Sequence, residues 1–229
     1  MPRVRLYFKG LNGFKFPKNY DDIFSSIFIN KINSFIDGWS QFKNFNSYTF
    51  SDFVIEHYGQ SEDDMLYSIE GIVSVVISSI SEEFLRKFVA FLVDGNDIHF
   101  KKNIMHLMRF EFIQNPEFNR GEADFISICP IFLKNYPDDG HLFSYIKKLL
   151  INDYCRYYDL NVSNVYCEIT THGDLFQKFI DKDTPSSKFN DCFYMVDLNI
   201  VGDEKLISFA YDVGLGNETN LGFGMLDLY

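Results

Sequence analysis

The chain has 229 residues, long enough for one large domain or two small ones, and its 46% apolar content is enough for a packed core. Its net charge of −11 argues against a protein that coats nucleic acid indiscriminately, because neutralising phosphates requires clustered Lys and Arg. No apolar run reaches membrane-spanning length, and the first residues, MPRVRLYFKG, lack an apolar signal core, so a cytoplasmic protein with no membrane partner is expected.

The first half of the chain predicts the order strand, helix, strand, strand, helix, strand. Val4–Gly10 alternates as a strand, and Asn19–Phe35 has helical spacing, with Gly38 as its stop. The predicted apolar face of this helix consists of Phe24, Phe28, Ile32 and Phe35. SYTFSDFVIEHYG and LYSIEGIVSVVISSI follow as strands, SEEFLRKFVAFLVDG as a helix opened by Ser81, and IHFKKNIMHLMRFEF as a strand. This βαββαβ order resembles a ferredoxin-like domain, here residues 1–114.

The second half repeats this order without repeating the sequence, after a junction near QNPEFNRGE. ADFISICPIFLK is a predicted strand, GHLFSYIKKLLINDYCRYYD a helix, and VYCEITTHGDLFQKFI and KFNDCFYMVDLNIVG two strands. A helix then runs to Val213 with Asp203 as its N-cap, and Leu221–Tyr229 alternates toward a closing strand. A second ferredoxin-like domain is therefore predicted over residues 120–229.

A glycine-rich loop joins the last predicted helix to the last strand. Its glycines are Gly214, Gly216, Gly222 and Gly224. A dinucleotide fingerprint or a phosphate loop runs from strand through glycines to helix, and here the order is reversed, with no Lys after the glycines. Such a loop binds phosphate only if bare backbone N–H groups do the binding.

Charge is distributed unevenly along the chain. Residues 1–50 carry seven basic residues against three acidic ones, whereas the remainder carries 14 against 29. This asymmetry predicts one local anion-binding face on an acidic body, with scattered, solvated lysines as the alternative. The basic residues of this segment are Arg3, Arg5, Lys9, Lys15, Lys18, Lys31 and Lys43.

The sequence lacks the motifs of side chains that usually bind metals, so neither a metal nor a cofactor is expected. The four cysteines contain no C-x-x-C pair, which favours reduced, packed thiols over zinc ligands or disulfides. The chain has no H-x-x-x-H motif, no aspartate cluster and no Cys/His spacing of ligand type.

The glycine loop and its lead-in, IVGDEKLISFAYDV, resemble those of the CRISPR-associated endoribonucleases that cut repeat RNA to make guide RNAs, the Cas-six family of the RAMP superfamily. FKFPKNYDDIFSSIFINKI, SYTFS and ISICPIFLK extend the resemblance over nearly the whole chain. It implies an α+β fold of tandem ferredoxin-like domains with an inter-domain cleft. It also implies a metal-independent cut in which the 2′-hydroxyl of the RNA attacks the adjacent phosphate, leaving a 2′,3′-cyclic phosphate and a 5′-hydroxyl.

The segment that should carry the catalytic histidine departs from the family. Members usually place a His just after the first helix, often with a Tyr on that helix and a Lys nearby, whereas SFIDGWSQFKNFNSYTFS has no His. The resemblance makes Lys43 a stabiliser of the phosphate charge, and Tyr48 and His57 are the other catalytic candidates, with packing as the alternative for both. The RNA-binding candidates are Arg3, Arg5, Lys15, Lys18, Lys31 and the glycines Gly214, Gly216, Gly222 and Gly224.

Two functions stay open at this point. One is an active endoribonuclease that processes CRISPR repeat RNA. The other is a weak or inactive relative that binds repeat or guide RNA as a subunit of a CRISPR ribonucleoprotein complex. The expected partner is repeat or guide RNA in both cases, and other subunits of such a complex and a homodimer are further candidates.

Overall fold

A computed structural model describes residues 3–10, 15–16, 20–42, 47–60, 66–100, 103–136, 141–171, 176–178 and 191–229. The chain divides into two compact units, Met1–Asn115 and Pro116–Tyr229. None of the helices in this described part is both long enough and apolar enough to cross a membrane.

The N-terminal unit is an antiparallel sheet with two helices packed on one face. Its elements are β1 (Arg3–Lys9), β2 (Lys15–Phe16), α1 (Tyr20–Gly38), β3 (Tyr48–Phe50), β4 (Val54–Ile55), β5 (Tyr58–Gln60), β6 (Leu66–Ser68), β7 (Ile72–Ser79), α2 (Glu82–Val93), β8 (Ile98–Phe100) and β9 (Asn103–Ile113). The main sheet has the order β3-β7-β1-β9-β8, with β4 also paired to β7, and β2, β6 and β5 form a small separate sheet.

The C-terminal unit repeats this arrangement. Its elements are β10 (Glu122–Ser127), β11 (Ile131–Leu133), α3 (Leu142–Tyr158), β12 (Cys167–Thr171), β13 (Phe176–Lys178), β14 (Cys192–Met195), β15 (Asp197–Gly202), α4 (Glu204–Val213) and β16 (Leu226–Leu228). The four-stranded sheet β12-β15-β10-β16 matches the order β3-β7-β1-β9 of the first unit, and β11, β14 and β13 form a second sheet. The prediction of tandem ferredoxin-like domains is confirmed.

Aromatic rings fill the core of the N-terminal unit. Phe24, Phe28, Ile32 and Phe35 are all at most 1% exposed, as the helical spacing predicted. Phe24 stacks on Phe100 at a centroid distance of 4.4 Å, and Phe28 meets Phe50 edge to face at 5.2 Å. Since such ring pairs add to the free energy gained from burial alone, the phenylalanine-rich composition is explained by this core.

The side chains of β1 alternate between the two faces of the first sheet. Val4, Leu6 and Phe8 enter the core beneath the helices. Because successive side chains of a strand point to opposite faces, Arg3, Arg5 and Tyr7 point to the other side. We call this other side the helix-free face.

A carboxyl group near the start of α1 ties this helix to the sheet. Asp21 Oδ1 accepts a hydrogen bond of 2.6 Å from the backbone N–H of Phe53. Burial, reinforced by the nearby Asp52 carboxylate, raises the pKa of Asp21 from 3.8 to about 7. The folded chain therefore binds this proton more tightly than the unfolded chain, so the contribution of Asp21 to stability is lost as the pH rises toward 7.

Asp21→Asn is expected to remove this pH dependence and to make the chain more stable than the native sequence at pH 8. The amide oxygen can still accept from Phe53, and the amide N–H can donate to Asp52 in place of the proton. The native chain should lose about 1 kcal/mol between pH 5.5 and pH 8 through this group, after allowance for solvent screening of a partly exposed carboxyl.

The measurement is the free energy of unfolding in urea at the two pH values. Asp37→Asn is the matched control, because Asp37 lies exposed near the other end of the same helix. An Asp21→Asn variant that keeps the native pH slope would contradict the assignment.

Candidate RNA interface

The glycine loop begins where α4 ends. Asp203 caps the start of α4, its carboxylate accepting a hydrogen bond of 2.9 Å from the N–H of Leu206, as predicted. All four glycines of the loop have positive φ, at 84°, 95°, 91° and 69° in chain order. Residues with a Cβ rarely adopt this conformation, so the backbone path explains the glycine density.

The loop packs closely against β11 of its own unit. A Cβ built on Gly216 would lie 2.5 Å from the carbonyl oxygen of Phe132, and one on Gly224 would collide with the carbonyl of Leu215. Asn217 fastens the loop twice. Its N–H donates to the Phe132 oxygen at 2.7 Å, and its side-chain oxygen accepts from the N–H of Lys134 at 2.9 Å.

Most of the loop's backbone N–H groups bind within the protein. Six donate to carbonyl oxygens of the chain, namely those of Gly214, Leu215, Asn217, Leu221, Gly222 and Gly224. Two of the acceptors, Pro130 and Phe132, lie at β11. These six N–H groups therefore hold the loop in place. The predicted phosphate-binding nest is limited to the other backbone amides of the loop.

A cation and an aromatic ring flank the loop. The ammonium group of Lys134 lies 3.4 Å from the Glu218 carboxylate, and more than half of the lysine side chain is exposed. The Phe223 ring packs at 5.4 Å from both Phe132 and Phe193. Sequence reasoning missed Lys134, although it closes the stretch ISICPIFLK that carried part of the resemblance.

The predicted basic residues of the N-terminal segment lie on different surfaces of their unit. Arg5 is exposed on the helix-free face, whereas Arg3 is only 3% exposed. Lys31 lies in the helix layer, with its ammonium 6.0 Å from the centre of the Phe91 ring. Lys15 is exposed on the small sheet. Arg5 and Lys31 thus lie on opposite sides of the sheet, so these two residues do not belong to one positive patch.

The catalytic candidates Tyr48 and His57 also lie in different environments. Tyr48 is 1% exposed, and its ring stacks on that of Phe84 at a centroid distance of 5.4 Å, so it packs in the core. We therefore do not assign it a catalytic role. His57 is exposed in a left-handed turn between β4 and β5, with φ at 48°, and its carbonyl accepts from the N–H of Ile69. Lys18 and Lys43 lie outside the described residues, so their roles stay predictions.

The helix-free face carries a charged cluster that sequence reasoning did not find. The Arg109 guanidinium lies 3.9 Å from the centre of the Tyr7 ring and 3.4 Å from the Glu111 carboxylate. The Tyr7 hydroxyl donates to the same carboxylate at 3.3 Å. The alternation RFEF in β9 could have revealed that Arg109 and Glu111 share a face.

Groups of three or more His, Cys, Asp or Glu side chains arranged to hold a metal ion are absent from the described residues. The four cysteines are buried, and none of them forms a disulfide. Burial raises the pKa of Cys167 to about 11, which keeps this thiol protonated at neutral pH.

Comparison with known proteins gives a consistent likeness. Residues 113–228 match the family model described as CRISPR associated protein Cas6, C-terminal. The curated protein CRISPR-associated endoribonuclease Cas6 1 of Methanocaldococcus jannaschii is 24% identical over 244 residues, which cover 98% of this chain and 91% of that protein.

Solved structures resemble the whole chain in fold. A structure described as CRISPR associated protein Cas6 has a TM-score of 0.80 at 21% identity, covering 100% of this chain and 99% of its own. A RAMP protein described as binding different RNA substrates has a TM-score of 0.76 at 19% identity and full coverage of both chains. A Cas6-related protein from Pyrococcus furiosus has a TM-score of 0.75 at 16% identity, covering 100% of this chain and 98% of its own.

Proposed function

Because this chain belongs to the Cas6 family of CRISPR-associated proteins, we propose that it is an endoribonuclease that processes CRISPR repeat RNA. The observation that carries the proposal is the glycine loop seated on β11, which lies inside the matched region and is built by the residues on which the resemblance rests. The M. jannaschii relative is named as an endoribonuclease, which supports the same activity here.

The proposed reaction is an internal transfer at phosphorus. The 2′-oxygen of the RNA attacks the adjacent phosphorus, its proton leaves to a base, and the bond from phosphorus to the 5′-oxygen breaks as that oxygen takes up a proton. The products are a 2′,3′-cyclic phosphate and a 5′-hydroxyl. Such a reaction is accelerated by aligning the 2′-oxygen, by positioned acids and bases, and by cations near the developing negative charge.

Lys43 is the residue that we assign to charge stabilisation. It follows α1, in the segment where the family usually carries its catalytic groups. His57 is an exposed imidazole on the same unit and is a secondary candidate for proton transfer. An ammonium group keeps its charge at neutral pH and donates hydrogen bonds to phosphate oxygens, so it can act without a histidine beside it.

RNA binding is assigned to exposed cations rather than to the whole basic segment. Arg5 on the helix-free face and Lys134 beside the glycine loop are both exposed in the described part of the chain. A guanidinium can contact a phosphate through two parallel hydrogen bonds, which suits Arg5 to this role. Since each phosphate that is neutralised releases condensed counterions, binding should weaken as salt is added, with a slope set by the number of cations that contact phosphate.

A binding protein without cleavage activity is the second candidate. It is favoured by the absence of histidine from the sequence between Gly38 and Tyr48. In this function the chain holds repeat or guide RNA for other subunits of a CRISPR complex.

The deciding experiment incubates end-labelled repeat RNA with excess protein in the presence of a chelator. We expect slow cleavage at one site, a product ending in a 2′,3′-cyclic phosphate, and no product when the nucleotide at that site carries a 2′-deoxy sugar. Tight binding without a specific product would select the binding protein. A requirement for divalent metal would reject the proposed chemistry.

A further inference from the structure

Lys43, which is assigned to charge stabilisation, directly follows a 3₁₀ turn at Ser40–Phe42. Phe42 is only 6% exposed. Its ring packs against Phe35 of α1 at a centroid distance of 5.7 Å and meets Phe84 of α2 edge to face at 5.4 Å. Because one peptide bond joins Lys43 to Phe42, whatever holds the turn in place also fixes the starting point of the lysine.

A charged pair on α2 fastens this turn from the outside. The ammonium group of Lys87 lies 4.7 Å from the centre of the Trp39 ring and 5.9 Å from that of Phe42. The same ammonium lies 2.7 Å from Oε1 of Glu83, one helical turn earlier. This carboxylate oxygen also accepts a hydrogen bond of 3.2 Å from the side-chain amide of Gln41. The pair thus binds the turn through two aromatic rings and one amide.

The chain is anchored again immediately after residues 43–46. The carbonyl oxygen of Ser47 accepts a hydrogen bond of 3.0 Å from the hydroxyl of Ser79, the last residue of β7. Tyr48 then stacks on Phe84, the same ring of α2 that Phe42 meets. Contacts with α2 therefore hold the chain on both sides of these four residues.

A second pair on α2 provides the natural comparison. Arg86 lies 2.6 Å from the Glu82 carboxylate, and its guanidinium lies 4.9 Å from the centre of the Phe112 ring in β9. The Arg86 side chain is 60% exposed and that of Lys87 only 29%. A cation binds an aromatic ring more strongly when it is shielded from water, so the contact of Lys87 with the turn is the stronger of the two.

We propose that Lys87, held by Glu83, is a positioning residue for cleavage, because it fixes the Ser40–Phe42 turn on α2 and so presents Lys43 to the phosphate in one place. Lys87 does not touch the RNA and acts only through Lys43. Misplacement of a catalytic group by about 1 Å can cost about 100-fold in rate, so a contact outside the reacting site can matter. The inference rests on the proposed function and adds a residue to it that the sequence did not reveal.

Docking of the turn is tested first by amide hydrogen exchange without RNA. The N–H of Phe42 donates to the carbonyl oxygen of Trp39 at 2.9 Å, so its exchange reports opening of the turn. Lys87→Met keeps the aliphatic stem and removes the charge, and should lower the protection of this amide about 5-fold. The amide of Asp94, at the end of α2, should keep its protection and show that the helix is intact.

Cleavage is measured next, with protein in excess over end-labelled repeat RNA. Lys87→Met should lower the rate constant about 10-fold and change RNA affinity less than about 2-fold, because a positioning residue acts on the reaction and not on binding. Lys87→Arg retains the cation over the ring and should stay within about 3-fold of the native rate constant. Arg86→Met is the matched control, since it removes one positive charge from the same helix and should leave both the rate constant and the Phe42 amide unchanged.

The deciding variant combines Lys87→Met with Lys43→Ala. If Lys87 acts through Lys43, the double variant cleaves at the rate of Lys43→Ala alone, whereas independent roles would multiply the two losses. A further loss of about 10-fold in the double variant would overturn the inference. So would a Lys87→Met variant that keeps the native rate constant in a chain that cleaves.

Failure of the proposed function would look different. A native chain that binds repeat RNA and never cleaves it would reject both the endoribonuclease and the role of Lys87 in cleavage. Unchanged protection of the Phe42 amide in Lys87→Met would reject the positioning contact alone, whether or not the chain cleaves.

Discussion

Gly224→Ala is expected to lower the free energy of unfolding by about 4 kcal/mol, enough to unfold a marginally stable domain. The added Cβ would collide with the carbonyl of Leu215, and the residue has a φ of 69°. Positive φ costs a residue with a Cβ about 1–2 kcal/mol, and overpacking adds about 1–3 kcal/mol. Relief of the collision would also strain the hydrogen bond from the N–H of Gly224 to Pro130.

Gly95→Ala is the matched control for this change. Gly95 follows α2, has a φ of 90°, and has no atom within 4 Å of a built Cβ. Gly95→Ala should therefore lower the free energy of unfolding only by the conformational cost of positive φ, about 1 kcal/mol. Urea unfolding followed by circular dichroism measures both variants. Equal losses in the two would mean that the close approach of Gly224 to Leu215 is unimportant.

This comparison also separates two roles of the loop. If the glycines serve mainly to let the backbone of the loop pack closely, Gly224→Ala lowers stability and RNA binding together. If they serve mainly to present N–H groups to phosphate, stability stays near the native value and only binding falls. The six internal hydrogen bonds of the loop favour the first outcome.

Lys43→Ala is expected to reduce the rate constant of repeat-RNA cleavage by at least about 100-fold. Removal of one positioned group that stabilises transition-state charge typically has an effect of this order. RNA affinity should fall by less than about 10-fold, since one phosphate contact among several contributes modestly to binding. The rate constant is measured with protein in excess over RNA, so that binding does not limit it.

Two other variants serve as comparisons for Lys43→Ala. Lys148→Ala removes an exposed lysine on α3 and should leave the rate constant unchanged. His57→Ala should lower it by less than about 10-fold, because His57 is assigned only a secondary role. A Lys43→Ala enzyme that cleaves at the native rate would remove Lys43 from the mechanism, and a larger loss in His57→Ala would transfer the leading role to that histidine.

Strand boundaries are where sequence reasoning was least accurate. SYTFSDFVIEHYG and LYSIEGIVSVVISSI each predict one strand, but the structure divides them into β3, β4, β5 and β6, β7. Two of the three breaks contain a backbone position with positive φ, His57 between β4 and β5 and Gly71 between β6 and β7. Alternation of apolar residues continues across such a turn, so the pattern does not reveal it. The first helix ends at Gly38, as predicted, and begins at Tyr20, one residue after the predicted start.

The sequence by itself determined the features that depend on neighbouring residues. The spacing of Phe24, Phe28, Ile32 and Phe35 predicts the buried face of α1, and the caps at Ser81 and Asp203 predict where α2 and α4 begin. Each of these signals spans only one to four helical turns, so it can be read from the chain without knowledge of the fold.

Only the tertiary structure decided the features that join distant segments. The N–H groups of the glycine loop bond to Pro130 and Phe132, far earlier in the chain, and Asp21 owes its raised pKa to burial near Asp52. The separation of Arg5 from Lys31 depends on which face of the sheet the helices cover. Hydrogen-bond partners, burial and shared faces are properties of positions in space, and a sequence specifies those positions only through the folded chain.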